Sequence, residues 1–546
     1  MGSMSRAANF NANQKPPRQD ALPDILGQLQ TPRRRNRSGG QISSILWAIA
    51  IVFFSTRALT MARGGTIAAA AGGATHVPVE TDYLALFNKR FGQGVTALNN
   101  AAVPVVILNR PGSLRVSYEK FNGKAWLPVP LPDGEIRICQ ALGITSQELR
   151  GPVFSHYIQF AAMLHQGLRD GSKSNAGVVA PVPEYITGRF MKKPWKYKPN
   201  PWIEIWLRKQ KPAFRVLVAA SRRPRFFIPL LPVHAGGTFS LSMVPNLDDE
   251  VGEVQDMCQD LIARAMMELG EKHIRRCRRD LLAAHRFAML MTQEHTGLAI
   301  LAGFSLAADA MDAERTLAAS GELSASAAAR FLKEIQSLPA PVSIADSDDT
   351  IGRWQMLSIL EFLANHPSLR SWTIKRRMWP KITQKWTSRQ YRAAIPAFND
   401  LIDQMVHIER IKNLTHQIQR LSAMLGVWRK SADLYQNAFA ALHSGSVSAY
   451  TFEEFGEFAA DSRVTDICLA IAAFQRSRGH FPKTLNQLVP TYFVRVPRNP
   501  STGRPFVYRA TAKKCSITSY ETFPPAASGD LKIYRIPPLI VRMHAR

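Results

Sequence analysis

Cysteine is scarce in this chain: five thiols, Cys139, Cys258, Cys277, Cys468 and Cys515, are spread over 546 residues, and no two are spaced as CxxC. That scatter excludes a disulfide-stapled small fold and a paired-thiol zinc site. The odd number leaves at least one thiol unpaired, with a Cys468 to Cys515 bond left open for an oxidising compartment. A zinc helix needs two histidines one turn apart around a glutamate, and Glu294-His295 has no second histidine at that spacing. Nucleophile elbows and phosphate loops are missing in usable form. Gly92-Gln93-Gly94 lacks the preceding strand and the third glycine of a nucleotide loop, so it reads as a turn. No catalytic residue, metal or cofactor follows from the motifs, and enzymatic activity is left open, with a non-enzyme favoured. The N-terminal apolar segment also falls short of the roughly 20 residues of an ideal membrane span.

What is present is a globular composition, 46% hydrophobic and 20% charged, on a chain long enough for two to four folded units. Lys and Arg number 69 against 41 Asp and Glu, a net charge of +28. Such an excess points to nucleic acid when it sits in a recognisable reading module, and to anionic lipid or polymer surfaces otherwise. Residues 1–37 are polar and basic without apolar periodicity, the pattern of a disordered cytoplasmic tail. Residues 38–60 follow as a transmembrane segment built on Ile42 to Phe54, with the cluster Arg33, Arg34, Arg35 and Arg37 before it. The positive flank keeps the N-terminus in the cytoplasm and places the bulk of the chain outside the cytoplasmic membrane. A cleaved export signal and a buried helix stay open beside the uncleaved single-pass anchor, because the apolar stretch is short and the small-residue run Thr66 to Ala74 offers cleavage sites.

After a small-residue linker, 61–78, residues 79–247 mix short apolar runs with prolines. Val105 to Leu108 and Val216 to Val218 read as buried strands, and Pro194, Pro199, Pro201 and Pro212 argue against long helices between them. Residues 248–445 read as a helical domain, with helices from Val251 to Leu269, Leu281 to Thr292, Gly297 to Ala318, Ala325 to Leu338 behind an N-cap at Ser324, and Thr350 to Ala364. A long stretch from Ser388 to Leu442 breaks near Gly426. Residues 446–540 form a last unit: a helix from about Phe455 to Arg478, then strands at Phe506 to Ala510, Ile517 to Tyr520 and Leu531 to Ile536. The expected fold class is α+β, predominantly α-helical, with a small antiparallel sheet at the C-terminal end.

The run Ile471 to Arg509, with its helix ending in Gly479-His480-Phe481-Pro482 and its turn Asn499-Pro500-Ser501-Thr502-Gly503-Arg504-Pro505, resembles the C-terminal part of type II secretion pseudopilins. Asn499 stands where that family has aspartate, and the N-terminal pilin signature is missing, so the chain is not a pilus subunit. More broadly, Asp82-Tyr83, Asn100-Ala101-Ala102, the run Ala219 to Leu230, Arg278 to Leu282 and Gly321 to Ser324 resemble membrane-anchored extracytoplasmic proteins of planctomycete-type bacteria with no established activity. That resemblance implies export and a helical core.

The strongest candidate surface combines cations with aromatic rings: Lys192, Lys193, Trp195, Lys196, Tyr197, Lys198, Trp202, Arg208, Arg222, Arg223 and Arg225, joined by a second group, Trp372, Arg376, Arg377, Trp379 and Trp386. Cations neutralise phosphates or carboxylates and flat rings stack on sugars or bases. The competing reading is tryptophans buried in the core with an ordinary solvated rim. Expected partners are a membrane and an anionic polymer or envelope protein, not nucleic acid. The second functional class is an exported hydrolase of an envelope polymer, which needs two carboxylates from the set Glu294, Asp309, Asp312 and Glu314 to converge in a cleft.

Overall fold

A computed structural model describes residues 82–109, 117–121, 126–130, 139–154 apart from 146 and 151, 190–198 apart from 197, 201–230, 245–365 apart from 295, 367, 383, 385–411, 414–443, 447–519 apart from 501, and 539–544. The basic tail, the apolar segment 38–60 and the linker lie outside these residues, as does the expected strand Leu531 to Ile536. Among the described residues no helix is long and apolar enough to cross a membrane.

Helix α1 (Tyr83–Gly92) starts on Asp82, whose carboxylate accepts from Ala85 N at 2.9 Å. It is followed by α2 (Ala102–Asn109), an antiparallel pair of strands β1 (Ser117–Phe121) and β2 (Trp126–Pro130), and α3 (Pro201–Ala220). The two strands expected here, Val105 to Leu108 and Val216 to Val218, are therefore helical. In α2 nearly every residue is buried, so no face is left polar to reveal the helical period. Its Pro104 sits in the first turn, where a missing N–H costs no intrahelical bond. In α3 the valines belong to a longer pattern: Ile203, Trp206, Leu207, Ala213, Phe214 and Leu217 are buried at helical spacing. Pro212 lies inside this 20-residue helix on its exposed side, where water reaches the Arg208 carbonyl that the ring deprives of a donor.

The bundle continues with α4 (Pro245–Gly270), α5 (Ile274–Met291), α6 (Gly297–Ala319) and α7 (Ala325–Gln336). Thr296 caps α6 through Ala299 N, and Ser324 caps α7 through Ala327 N, as its position predicts. A helical turn, Ile344–Ser347, runs into a π-turn, Asp348–Gly352, and then into α8 (Arg353–Asn365). Helix α9 (Ser388–Glu409) opens with a capping box between Thr387 and Gln390, and α10 (Leu414–Arg429) and α11 (Leu434–His443) complete this group. The break expected at Gly426 is absent, since Gly426 is interior to α10. The chain turns instead after Glu409 and after Arg429, where Asp433 caps the next helix by accepting from Tyr435 N and Gln436 N at 2.8 and 3.0 Å. Helix α12 (Val447–Arg478) then leads into a three-stranded antiparallel sheet in the order β3 (Val507–Ala510), β4 (Lys514–Ser519), β5 (Leu539–His544). The architecture is α+β and predominantly helical.

Two hydrophobic cores divide the chain differently from the expected boundaries. The first gathers α1 to α7 with the later part of α12 and the C-terminal sheet, from Phe87 through Phe287 and Leu306 to Ile467, Ile517 and Met543. The second contains only residues of α8 to α11 and the turns before them, including Leu360, Tyr391, Phe398, Trp428 and Phe439. Hence the helical stretch 248–445 is not one packing unit. Helix α12 joins the two: Phe455 packs against the second core, while Val464 to Ala473 lie in the first. The two cores predict separable stability. Phe398→Ala removes a buried ring at a cost of about 3–5 kcal/mol. Amide hydrogen exchange should then accelerate in α8 to α11 while protection in α5 and α6 is kept. Equal loss in both groups would show one cooperative unit.

Candidate functional site

The basic face is built on α3. Glu204 is the only acid between Glu184 and Asp248. Arg208, Lys209, Lys211 and Arg215 are exposed along one side of α3, and Arg222 and Arg225 continue the exposed series beyond its end. Arg208 spans one turn to Glu204 at 2.7 Å, and Ile205 lies exposed beside them. Lys193, Lys196 and Lys198 are exposed on the preceding segment, and Lys192 is half-buried.

The aromatic half of the expected surface is largely core. Trp195 is part-buried, packs on the first core beside Phe190 with ring centroids 4.6 Å apart, and donates from Nε1 to Ala263 O at 3.1 Å. Its backbone lies so close to the end of α4 that a Cβ on Gly270 would fall 2.1 Å from Trp195 O. Trp206 is 2% exposed and meets Phe214 edge to face at 5.9 Å. Trp386 is 4% exposed, packed against Tyr391 and Tyr435. Trp195 and Trp386 are thus corrected from stacking platforms to packing elements, as the bulk and N–H of tryptophan favour. The side chains of Tyr197, Trp202, Trp372, Arg376, Arg377 and Trp379 lie outside the described residues.

Two arginines of the set hold the fold. Arg223 donates to Ala97 O at 2.8 Å and Asn100 O at 2.9 Å, and burial lowers its guanidinium from the ordinary value. Arg225 donates its backbone N–H to Asn99 O and accepts from Ala101 N, leaving its side chain exposed. The extended segment Arg225 to Leu230 is clasped by two asparagine amides. Asn100 accepts from Phe227 N and donates to Phe227 O, and Asn88 does the same to Leu230. Two short motifs far apart in sequence, Asn100-Ala101-Ala102 and Ser221 to Leu230, thereby meet. Identical side-chain types in ordinary positions left no local signal of that pairing.

This clasp forms one wall of a cavity of about 220 Å³, lined by Phe91, Arg225, Phe226, Phe227, Gln293, Glu294 and Val342. The four carboxyl groups expected as an acid and base do not share it. Glu294 lines the cavity, whereas Asp309 accepts from Gln259 at 3.0 Å and Asp312 pairs with Arg315. Burial pushes Asp309 up to about 6. Glu314 lies 3.0 Å from His285 Nδ1, wholly within the bundle. Burial alone would lower the His285 imidazolium, but Glu314 and, more distantly, Asp466 hold it above its ordinary value. Burial also pushes Asp466 up to about 7 against the amide of Gln336. His285 is therefore a satisfied core histidine; His295 lies outside the described residues.

Elsewhere the buried charges form paired sets. Arg264 donates to Asp280 at 2.8 Å and stacks on Phe214 at 4.1 Å. Arg315 bridges Asp312, Asp461 and Thr465, which ties α6 to α12. All five cysteines are buried, and Cys468 and Cys515 are thiols that form no disulfide with each other. Burial pushes them up to about 12 and about 11, so thiolate chemistry at neutral pH is suppressed. Among the described residues no group of His, Cys, Asp and Glu is placed to hold a metal ion. At the C-terminal turn, Asn499 Oδ1 accepts from Thr502 N and Asn499 Nδ2 donates to Ser519 Oγ, both at 3.0 Å. An amide supplies acceptor and donor at this 3% exposed position without burying a charge.

The second core holds a carboxyl pair. Glu409, at the end of α9, is buried and lies in hydrogen-bonding contact with Asp348 of the π-turn; burial first, and then the Asp348 charge, push its carboxyl well above the usual range. The remaining charges here are occupied with one another: Arg353 reaches Asp349 and Asp403 at 2.6 Å, and Arg410 reaches Asp349 at 2.9 Å. Comparison with protein families, with curated proteins and with solved structures yields no match to this chain.

The pair predicts a pH effect with a definite sign. A raised carboxyl binds its proton more tightly in the folded chain, so its stabilisation is complete at low pH and is lost as pH rises through the folded value. Glu409→Gln should therefore raise the unfolding midpoint at about pH 8 and confer no gain at about pH 2, well below the ordinary carboxyl values, where both carboxyls carry protons in either state. An advantage independent of pH would show that Glu409 is not the group titrating.

Proposed function

We propose that the chain is a membrane-anchored extracytoplasmic binding or scaffold protein that presents the basic side of α3 to an anionic envelope polymer or to an acidic secretion-type partner. The observation that supports this reading is the continuous run of exposed cations, Arg208, Lys209, Lys211, Arg215, Arg222 and Arg225, with Glu204 as the one acid in that region. Like charges spaced closely along one helix repel one another, and a polyanion relieves that repulsion. The likeness of the C-terminal unit to pseudopilins adds to the case for a partner in the envelope, and the basic flank before residue 38 adds to the case for export. Glu294 and Glu314 lie apart from Asp309 and Asp312, so these four carboxyl groups do not converge in one cleft and lend the hydrolase reading no support.

Retention of the full chain on immobilised polyglutamate tests the surface. It should fall steeply as salt rises from about 0.05 to about 0.2 M. Replacing Arg208, Lys209, Lys211 and Arg215 together by Gln should weaken it at least about tenfold with no change in unfolding midpoint, because these side chains are exposed. Salt-insensitive retention would remove the proposal. A reporter fused after Pro78 tests the anchor, with activity expected only for a reporter that works outside the cytoplasm.

A further inference from the structure

The C-terminal unit carries a second basic surface, built differently from the one on α3. Between Asp466 and Glu521 the chain has nine Lys and Arg residues and no Asp or Glu. The fold gathers two of these, Arg495 and Arg498, beside Arg463 of α12. Arg463 is half-buried and donates from Nη1 to the Arg498 carbonyl. Burial, and then the charge of Arg495, lower its guanidinium from the ordinary value, as expected for two cations facing each other. Arg498 in turn reaches Gly503 O at 3.4 Å, and the turn between them is closed by Gly503 N on Asn499 O at 2.8 Å and Asn499 N on Arg504 O at 2.9 Å. Among the described residues no carboxylate pairs with Arg463, Arg495, Arg498 or Arg504.

Beside these cations stands an aliphatic side chain in full contact with solvent. Phe493 is seated in the first core and Val496 packs on that core, so the two residues between them, Val494 and Arg495, are held outward. Val494 is 96% exposed, the highest value for any large hydrophobic side chain among the described residues. The segment offers no flat ring on which a base or a sugar could stack, since Phe493 is buried and Tyr492 packs against the core. It does match a bilayer surface, where phosphates lie directly over hydrocarbon. An arginine can hold the phosphate while its aliphatic neighbour enters the apolar layer below.

We propose that segment 493–504 docks on an anionic phospholipid surface, with Val494 entering the acyl boundary and Arg495, Arg498 and Arg504 lying on headgroup phosphates. The proposal rests on the membrane-anchored reading for the bilayer it meets, and it leaves α3 to the partner proposed above. Arg463, half-buried behind the loop, adds charge without leaving the Arg498 carbonyl.

The five native thiols are buried, so Val494→Cys places one reactive thiol on this loop for a polarity-sensitive dye. The labelled full chain is added to vesicles of phosphatidylcholine alone and to vesicles containing about one-quarter phosphatidylglycerol. Dye emission should move to the blue only on the anionic vesicles and be quenched there by lipids brominated along their acyl chains; a dye left unquenched would overturn the insertion of Val494. Replacing Arg495 and Arg504 together by Gln, both exposed side chains, should move the docked-to-free ratio at least about tenfold toward free. Replacing Arg208, Lys209, Lys211 and Arg215 by Gln should leave it unchanged, and a lost response there would assign the membrane to α3 instead. Flotation with phosphatidylcholine alone reads the anchor separately. Flotation there without a dye response on anionic vesicles would sink this surface and keep the anchor; a dye response on anionic vesicles without flotation on neutral ones would do the reverse. An equal dye response on both vesicles, or one that survives the Arg495→Gln and Arg504→Gln pair, would overturn the proposal.

Discussion

A guanidinium inside a helical bundle must be neutralised where it lies, and Arg264 meets that demand in a way that orients the whole N-terminal half. Its head group is held by Asp280 across the α4 to α5 boundary, and its flat face lies on Phe214 of α3. Removing one partner of such a buried pair typically costs about 3–5 kcal/mol, far more than any exposed ion pair contributes. Phe214 is therefore locked toward the bundle, and with it the angle at which α3 meets α4 and α5. Because the helix repeats every 3.6 residues, fixing Phe214 inward leaves Arg208, Lys211 and Arg215 facing outward. The basic face follows from one interior charge.

Much of the bundle was legible in the residues. Helices α4, α6 and α7 have apolar positions at helical spacing over several turns and stop or start on Gly270, Thr296 and Ser324, so pattern and caps agree. The C-terminal helix feeding β3 and β4 was equally plain, whereas the third strand, Leu539–His544, was not expected. Helix α2 was not, because a short segment buried on all sides has no polar face to show its period. Helix α3 was misread because three adjacent branched residues near its end, and a proline in its middle, outweighed the longer pattern around them. The turns after Glu409 and Arg429 were placed at Gly426 instead, since glycine is a weak breaker when its neighbours favour helix.

The candidate surface divided along a physical line. Charge could be read locally, since a lysine on a solvated face needs no neighbour to keep it there, and those of the described set are exposed or half-buried. The fate of each tryptophan could not, because it depends on which distant element covers the ring: Ala263 for Trp195, Tyr391 and Tyr435 for Trp386. The carboxyl groups behaved likewise. Glu409 and Asp348 stand 61 positions apart and meet only because α9 folds back on the π-turn, and Asn100 meets Phe227 from 127 positions away in the chain.

Helix α12 has a mechanical meaning beyond packing. Its 32 residues make a rod about 48 Å long, at 1.5 Å per residue. One end is seated beside Phe304 and the second core through Phe455; the other delivers the chain into the sheet, with the Arg315 clamp on Asp461 and Thr465 between them. Val464 to Ala473 embed the second half of the rod in the same core as the sheet, so the sheet and that half form one seated piece and the Phe455 end reaches out from it as a strut to the second core.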